Sequence, residues 1–196
     1  MVLKTDSASC FAAGETLQLE SGDLINIEDA QVGDRILTAS SSTSGQVSYA
    51  PIVSIPHSKN DILASLVRLG TLSGKSISMV QDHLLFAGTC GSELTLQLAG
   101  GVKEGDCVRT VQGEDEVVSV ERHLGRGVYT VVTTEEYVVV SGVVASPFAI
   151  THTPCHLFYH IHRFLYSMAP SILKSSFFQQ LHGRFGEMIT STALRF

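Results

Sequence analysis

Gly33-Asp34-Arg35-Ile36-Leu37, followed by Pro51-Ile52-Val53-Ser54-Ile55, has an echo later in the chain: Gly105-Asp106-Cys107-Val108-Arg109, followed by Glu116-Val117-Val118-Ser119-Val120. Each copy sets a Gly-Asp turn before one short apolar run and closes with a second. Two copies of one unit predict a pseudo-two-fold β architecture; chance is the rival reading, because both ingredients are common. Outward from the repeats, strands are predicted at 16–19, 24–27, 35–38, 47–55, 66–69, 76–80, 83–86, 94–98, 107–111, 116–120, 128–133 and 137–144, with turns at Ser21-Gly22-Asp23 and Gly113-Glu114-Asp115. Many short strands at this spacing mean an all-β sandwich or barrel rather than alternating β and α units.

Composition narrows the function. The 196 residues include 13 Lys and Arg against 19 Asp and Glu, a net charge of −6, and 44% are hydrophobic. That apolar share supports a core and excludes wholesale disorder. The acidic balance argues against nucleic acid as a partner, since a phosphate backbone needs a basic face. The most apolar stretch, 137–150, is interrupted by Ser141, Gly142, Ser146 and Pro147. It falls short of the roughly 18 to 20 apolar residues of a membrane span. Residues 1–9 read as a polar leader without the apolar segment of a signal peptide.

After Pro154 the pattern changes. Leu157, Ile161, Phe164, Leu165 and Met168 form one helical stripe, Pro170 interrupts it, and Phe177, Phe178, Leu181, Phe185 and Met188 form another. The expected organisation is a leader at 1–9, a β domain at 10–150 and a helical appendage at 151–196. His152, His156 and His160 recur every fourth residue near Cys155, but Pro154 interrupts a shared helix, so no metal site is expected. Zinc enters only as an inhibitor acting on a reactive thiolate.

Two residues bear on chemistry. Cys10 directly follows the leader, in Ser9-Cys10-Phe11. A cysteine so placed can attack the carbonyl of the residue before it, turning the Ser9–Cys10 amide into a thioester. The other reading is a buried structural thiol. His83 sits between the strands predicted at 76–80 and 83–86, where a histidine can protonate a departing amine; a hydrogen-bonded structural histidine is its alternative. The four cysteines (Cys10, Cys90, Cys107, Cys155) contain no Cys-x-x-Cys pair and permit two disulfides.

Taken together, Cys10-Phe11, Val32-Gly33-Asp34-Arg35-Ile36-Leu37, Tyr49-Ala50-Pro51-Ile52-Val53, Asp82-His83-Leu84-Leu85-Phe86 and Val143-Val144-Ala145-Ser146-Pro147-Phe148 come in an order that resembles the carboxy-terminal autoprocessing domain of Hedgehog-family proteins, the Hog or Hint domain. The resemblance spans roughly Cys10 to Phe148. Ser146-Pro147-Phe148-Ala149, with His162-Arg163 downstream, is similar to the divergent nematode-like Hog relatives. It implies a pseudo-two-fold all-β fold shared with inteins and an internal thioester at Cys10. It implies assistance from His83 and attack by a sterol hydroxyl. The upstream signalling fragment would then leave as a sterol ester ending at Ser9, in the secretory pathway. The tail would hold the sterol, through Phe158, Tyr159, Phe164, Leu165, Phe177 and Phe178, and offer a surface to a membrane.

The chain departs from that pattern at three places. The family's threonine three residues before the histidine is Val80, which has the same shape without the hydroxyl. The acidic residue that activates the sterol falls near His57, with Asp61 as the alternative base. A late cysteine is replaced by Pro147, leaving Cys155 as the nearest candidate partner of Cys10. Protein splicing is disfavoured, because it needs a late Asn and the chain has only Asn26 and Asn60. Hydrolysis of the thioester, transfer to another lipid alcohol, or an inactive binding module are the remaining alternatives.

Overall fold

The computed structural model describes residues 10–39 and 46–149, without the side chains of 57–62, 148 and 149. The described chain is all β apart from two single 3₁₀ turns, Ile27–Asp29 and Ala99–Gly101. Its twelve strands are β1 (Phe11–Ala12), β2 (Thr16–Gln18), β3 (Leu24–Asn26), β4 (Arg35–Ala39), β5 (Val47–Thr71), β6 (Ser76–Val80), β7 (His83–Thr89), β8 (Thr95–Leu98), β9 (Asp106–Thr110), β10 (Gly113–Thr133), β11 (Tyr137–Val140) and β12 (Val143–Ala149). The leader and the tail, with the two helices expected there, lie outside the described residues.

The repeats do correspond in space. Each Gly-Asp turn follows a 3₁₀ turn, and each glycine has a left-handed backbone, φ 102° at Gly33 and 89° at Gly105. Asp34 Oδ2 accepts from the Gln31 N–H at 2.8 Å; Asp106 Oδ2 accepts from the Lys103 N–H at 2.9 Å. The Gly33 N–H donates to the Ile52 carbonyl and the Gly105 N–H to the Val117 carbonyl. After each turn a strand runs antiparallel to the next: Arg35 opposite Pro51, Cys107 opposite Glu116.

Three expectations are corrected. The runs 47–55 and 66–69 are parts of one strand, β5, and 116–120 and 128–133 are parts of β10. Alternation lapses in both because they bend between neighbours, with register shifts at Arg126/Val128 and Thr130/Val132. Gly113-Glu114-Asp115 begins β10 rather than turning; Val111-Gln112 makes the turn. The run 137–144 is a hairpin, β11 and β12, joined at Ser141 (φ 50°) and Gly142 (φ 79°). Two adjacent positive φ values are what a tight two-residue hairpin requires.

β10 ties the halves together by pairing with β1, β5 and β9. The main core gathers residues from both, including Phe11, Leu17, Ile36, Ile52, Leu69, Ile77, Met79, Leu85, Val108, Val117 and Val131. Each such fully buried side chain contributes about 1.5–3 kcal/mol. A second cluster packs Phe86 edge-on against Tyr137 with Leu37, Leu94 and Cys107. Cys107 is bonded to Cys90.

Candidate active site

Cys10 is a fully buried thiol immediately before β1. β1 is only two residues long and lies between β10 and β6, with Phe11 opposite Tyr129 on one side and Met79 on the other. The Val80 N–H donates to the Cys10 carbonyl at 2.9 Å. On the opposite side the Thr130 hydroxyl donates to Cys10 Sγ at 3.5 Å. Thr130 is 2% exposed. Val80 thus engages Cys10 through its main chain.

His83 opens β7 and is fully buried. Its ring packs on Phe11, the neighbour of Cys10, with centroids 4.1 Å apart. Its Nε2 lies 2.8 Å from the Ser146 carbonyl oxygen. That oxygen can only accept, so Nε2 carries the proton and a neutral ring keeps its lone pair on Nδ1. Burial drives the His83 pKa down to about 3, against a smaller upward pull from the Ser146 carbonyl. The imidazole is therefore neutral near pH 7.

The Ser146 carbonyl is aimed by local geometry. β12 pairs with β7 at Ala145–Leu85 and Ala149–His83, with a register shift between. Residues 146–148 therefore stand against Leu84 alone, a bulge. Pro147 restricts Ser146 to extended backbone, which fixes the direction of its carbonyl.

His57 lies in β5 with its Cα opposite Thr130, which places its backbone one strand from the Thr130–Cys10 contact. Asp61 lies further along β5, where the pairing with β10 shifts register between Lys59 and Leu63. The side chains of both are outside the described residues. So are Ser9, the tail aromatics Phe158, Tyr159, Phe164, Leu165, Phe177 and Phe178, and Cys155. Among the described residues no group of three His, Cys, Asp or Glu side chains is placed to hold a metal ion.

Three features escaped the sequence reading. Thr130 looked like one more β-branched residue of an apolar strand, and only its cross-strand position brings it to the thiol. The Ser146 carbonyl is main chain, although the proline after it was a usable signal. The Cys90–Cys107 disulfide joins the end of β7 to β9, where Gly88 pairs with Cys107; spacing alone does not set such a pairing.

This pseudo-two-fold all-β architecture is the fold of Hint modules and inteins. The Hint module model matches residues 3–183, and the chain belongs to that family. Among similar proteins, Warthog protein 6 of Caenorhabditis elegans is 26% identical over 144 residues, covering 70% of this chain and 24% of its own length. Protein hedgehog of Drosophila melanogaster is 29% identical over 164 residues (77% and 34%), and Sonic hedgehog protein of Xenopus laevis 27% over 178 residues (85% and 39%). The chain thus spans about a quarter to two-fifths of these relatives. Among solved structures, the gp41-1 intein aligns with a TM-score of 0.55 at 17% identity, covering 70% of this chain and 97% of that one. A bacterial intein-like domain from Clostridium thermocellum gives 0.57 at 18%, covering 70% and 98%.

Proposed function

We propose that this chain cleaves the Ser9–Cys10 bond through an internal thioester and transfers the upstream fragment to a sterol-like hydroxyl. The observation that carries this reading is the approach of two buried groups at the head of β1: the Cys10 thiol and, through Phe11, the neutral His83 ring. Neutral His83 takes the thiol proton on Nδ1. The sulfur bonds to the Ser9 carbonyl carbon, the Ser9–Cys10 C–N bond breaks, and the imidazolium returns the proton to the Cys10 amine. The histidine is thus a proton carrier rather than a resting acid. Its low proton affinity makes the first transfer, from the thiol, the uphill one and favours the second, to the more basic amine.

In the second step His57, or Asp61 in its stead, removes the proton from the acceptor hydroxyl. The alkoxide bonds to the thioester carbon and the Cys10 thiolate leaves. The tail at 151–196 holds the acceptor beside the thioester, which raises its effective concentration over water. The relatives named hedgehog support a secretory setting and a signalling fragment upstream; contact of the tail with a membrane surface is part of the same proposal.

A reporter fused ahead of Ser9 tests the reading. Dithiothreitol releases it if the thioester forms, and a sterol releases it with the matching mass gain. Release from Cys10→Ala at the wild-type rate would sink the proposal. Val80, without a hydroxyl, favours a second reading, an inactive Hint-fold binding module; this predicts no release with any thiol or lipid alcohol.

A further inference from the structure

β1 meets β10 at Phe11–Tyr129 and Ala12–Val128, and β6 at Phe11–Met79. One step further along both registers, Cys10 stands between Thr130 and Val80. One neighbour carries a hydroxyl and the other the same shape without one. The hydroxyl points at the sulfur, with Thr130 Oγ1 donating to Cys10 Sγ at 3.5 Å. Register shifts between β10 and β5 occur on both sides of Val128–Thr130. They let this segment serve β1 and β5 together, and irregularities of this kind beside a site re-aim side chains.

Cys10 is 0% exposed, so its thiolate loses the water that would solvate it, and burial by itself opposes ionisation. A nucleophile in that position needs a fixed donor in place of water. We infer that Thr130 is a positioning residue for the thioester reaction, its hydroxyl holding and solvating the Cys10 thiolate as the sulfur approaches the Ser9 carbonyl. This rests on the thioester reading of the site. It assigns the donor to the sulfur side of the reaction, whereas the hydroxyl missing at Val80 belongs to the amide side. The Thr130 proton stays on Oγ1 throughout, and the thiol proton still travels by way of His83. Of the ionisable residues on the elements around the thiol, those nearest to Cys10 in register are Tyr129 on β10 and His57 across from Thr130 on β5, and His83 at the head of β7 packs on Phe11; the others on β5 and β10 (Tyr49, Lys59, Asp61, Arg68, Glu114, Asp115, Glu116, Glu121, Arg122, His123 and Arg126) lie further along the strands.

The test uses the full chain behind a reporter and follows dithiothreitol-induced release from about pH 6 to about pH 9, the range in which thiols ionise. Thr130→Val keeps the shape and removes the hydroxyl. Its release is expected to be slower by about tenfold to a hundredfold near pH 7, as for loss of a hydrogen bond to a charged group. The deficit is expected to narrow at alkaline pH, because the variant's pH–rate curve moves up by about one to two units. Comparing each variant with wild type at the same pH cancels the ionisation of the added thiol. Thr130→Ser restores the hydroxyl and is expected to recover most of the rate. Should the valine variant not fold, Thr130→Ala carries the same prediction. An unchanged rate and profile overturns the inference, as does a loss that is equal at every pH and not rescued by serine, which marks packing alone. If wild type releases reporter while Thr130→Val does so equally well, only this inference falls. If wild type and Cys10→Ala are alike, the thioester reading falls with it.

Discussion

The two halves share a frame and use it differently. Each has a Gly-Asp turn, a hairpin before it and a strand after it, and each is locked where that strand meets the hairpin's end. In the first half the lock is an ion pair: Arg35 Nε lies 2.6 Å from Glu20 Oε2, with both side chains about half exposed. In the second half Cys107 takes the place of Arg35 in the repeat, and the lock is its disulfide to Cys90. The residue just before each hairpin's closing pair, Thr16–Asn26 and Leu84–Leu98, is buried and ionisable. In the first half it is Glu15, which accepts from the Ser78 N–H at 2.9 Å and the Ser141 hydroxyl at 2.6 Å, gripping the β11–β12 turn. In the second it is His83. Burial favours the neutral form of both, raising the Glu15 pKa and lowering that of His83. One position is a clamp; the other, in the proposed reaction, carries a proton.

The largest effect should come from blurring that division. His83→Gln keeps a donor for the Ser146 carbonyl but cannot carry a proton, so reporter release should fall by about 10² to 10⁴ while the circular dichroism spectrum is preserved. Glu15→Gln should leave release nearly intact. Equal losses in the two variants would erase the distinction.

Next comes acid sensitivity, where the two groups act with opposite sign. His83 titrates near 6.5 when unfolded and near 3 when folded, so the unfolded chain binds the extra proton between those values. Stability should be highest above pH 6.5 and fall, on the order of a few kcal/mol, as pH drops toward 3. Glu15 has a folded pKa above its unfolded 4.5; its contribution is full below 4.5 and is lost as pH rises through the higher value. Urea titrations across this range should show a flatter acid limb in His83→Gln. An unchanged limb would mean that His83 does not titrate with unfolding.

The locks come last. Cys90 and Cys107 are 17 residues apart, and opening a loop of that size costs about 3 kcal/mol in the chain-entropy account. The Cys90→Ser, Cys107→Ser double variant should show that loss by urea unfolding. Glu20→Gln should barely move the midpoint, because an exposed pair is screened by water. A larger effect from Glu20→Gln than from the disulfide would reverse the ranking of the two halves.

Much of this was legible beforehand, for local reasons. Gly33-Asp34 and Gly105-Asp106 fix their own turns, and Ser76–Val80 alternates cleanly enough to give its strand end to end. Cys10 and His83 stood out because each combines a reactive side chain with an element boundary. What escaped depends on partners distant in sequence. β1 is too short to leave a pattern, and Thr130 reaches Cys10 across 120 residues of chain. The Cys90–Cys107 bond depends on the β7–β9 pairing, and the continuity of β5 and β10 on bends that mask alternation.

That separation of 120 residues sets a clock. During synthesis the first strand can meet the sixth early, through Phe11 and Met79, but it lacks its other neighbour until the tenth has left the ribosome, since Phe11 also pairs with Tyr129. The enclosure that excludes solvent from the sulfur is therefore complete only once the tenth strand has been made. Under the proposed reaction, whatever is attached upstream stays attached while the domain folds, and its release is timed by the maturation of the domain behind it.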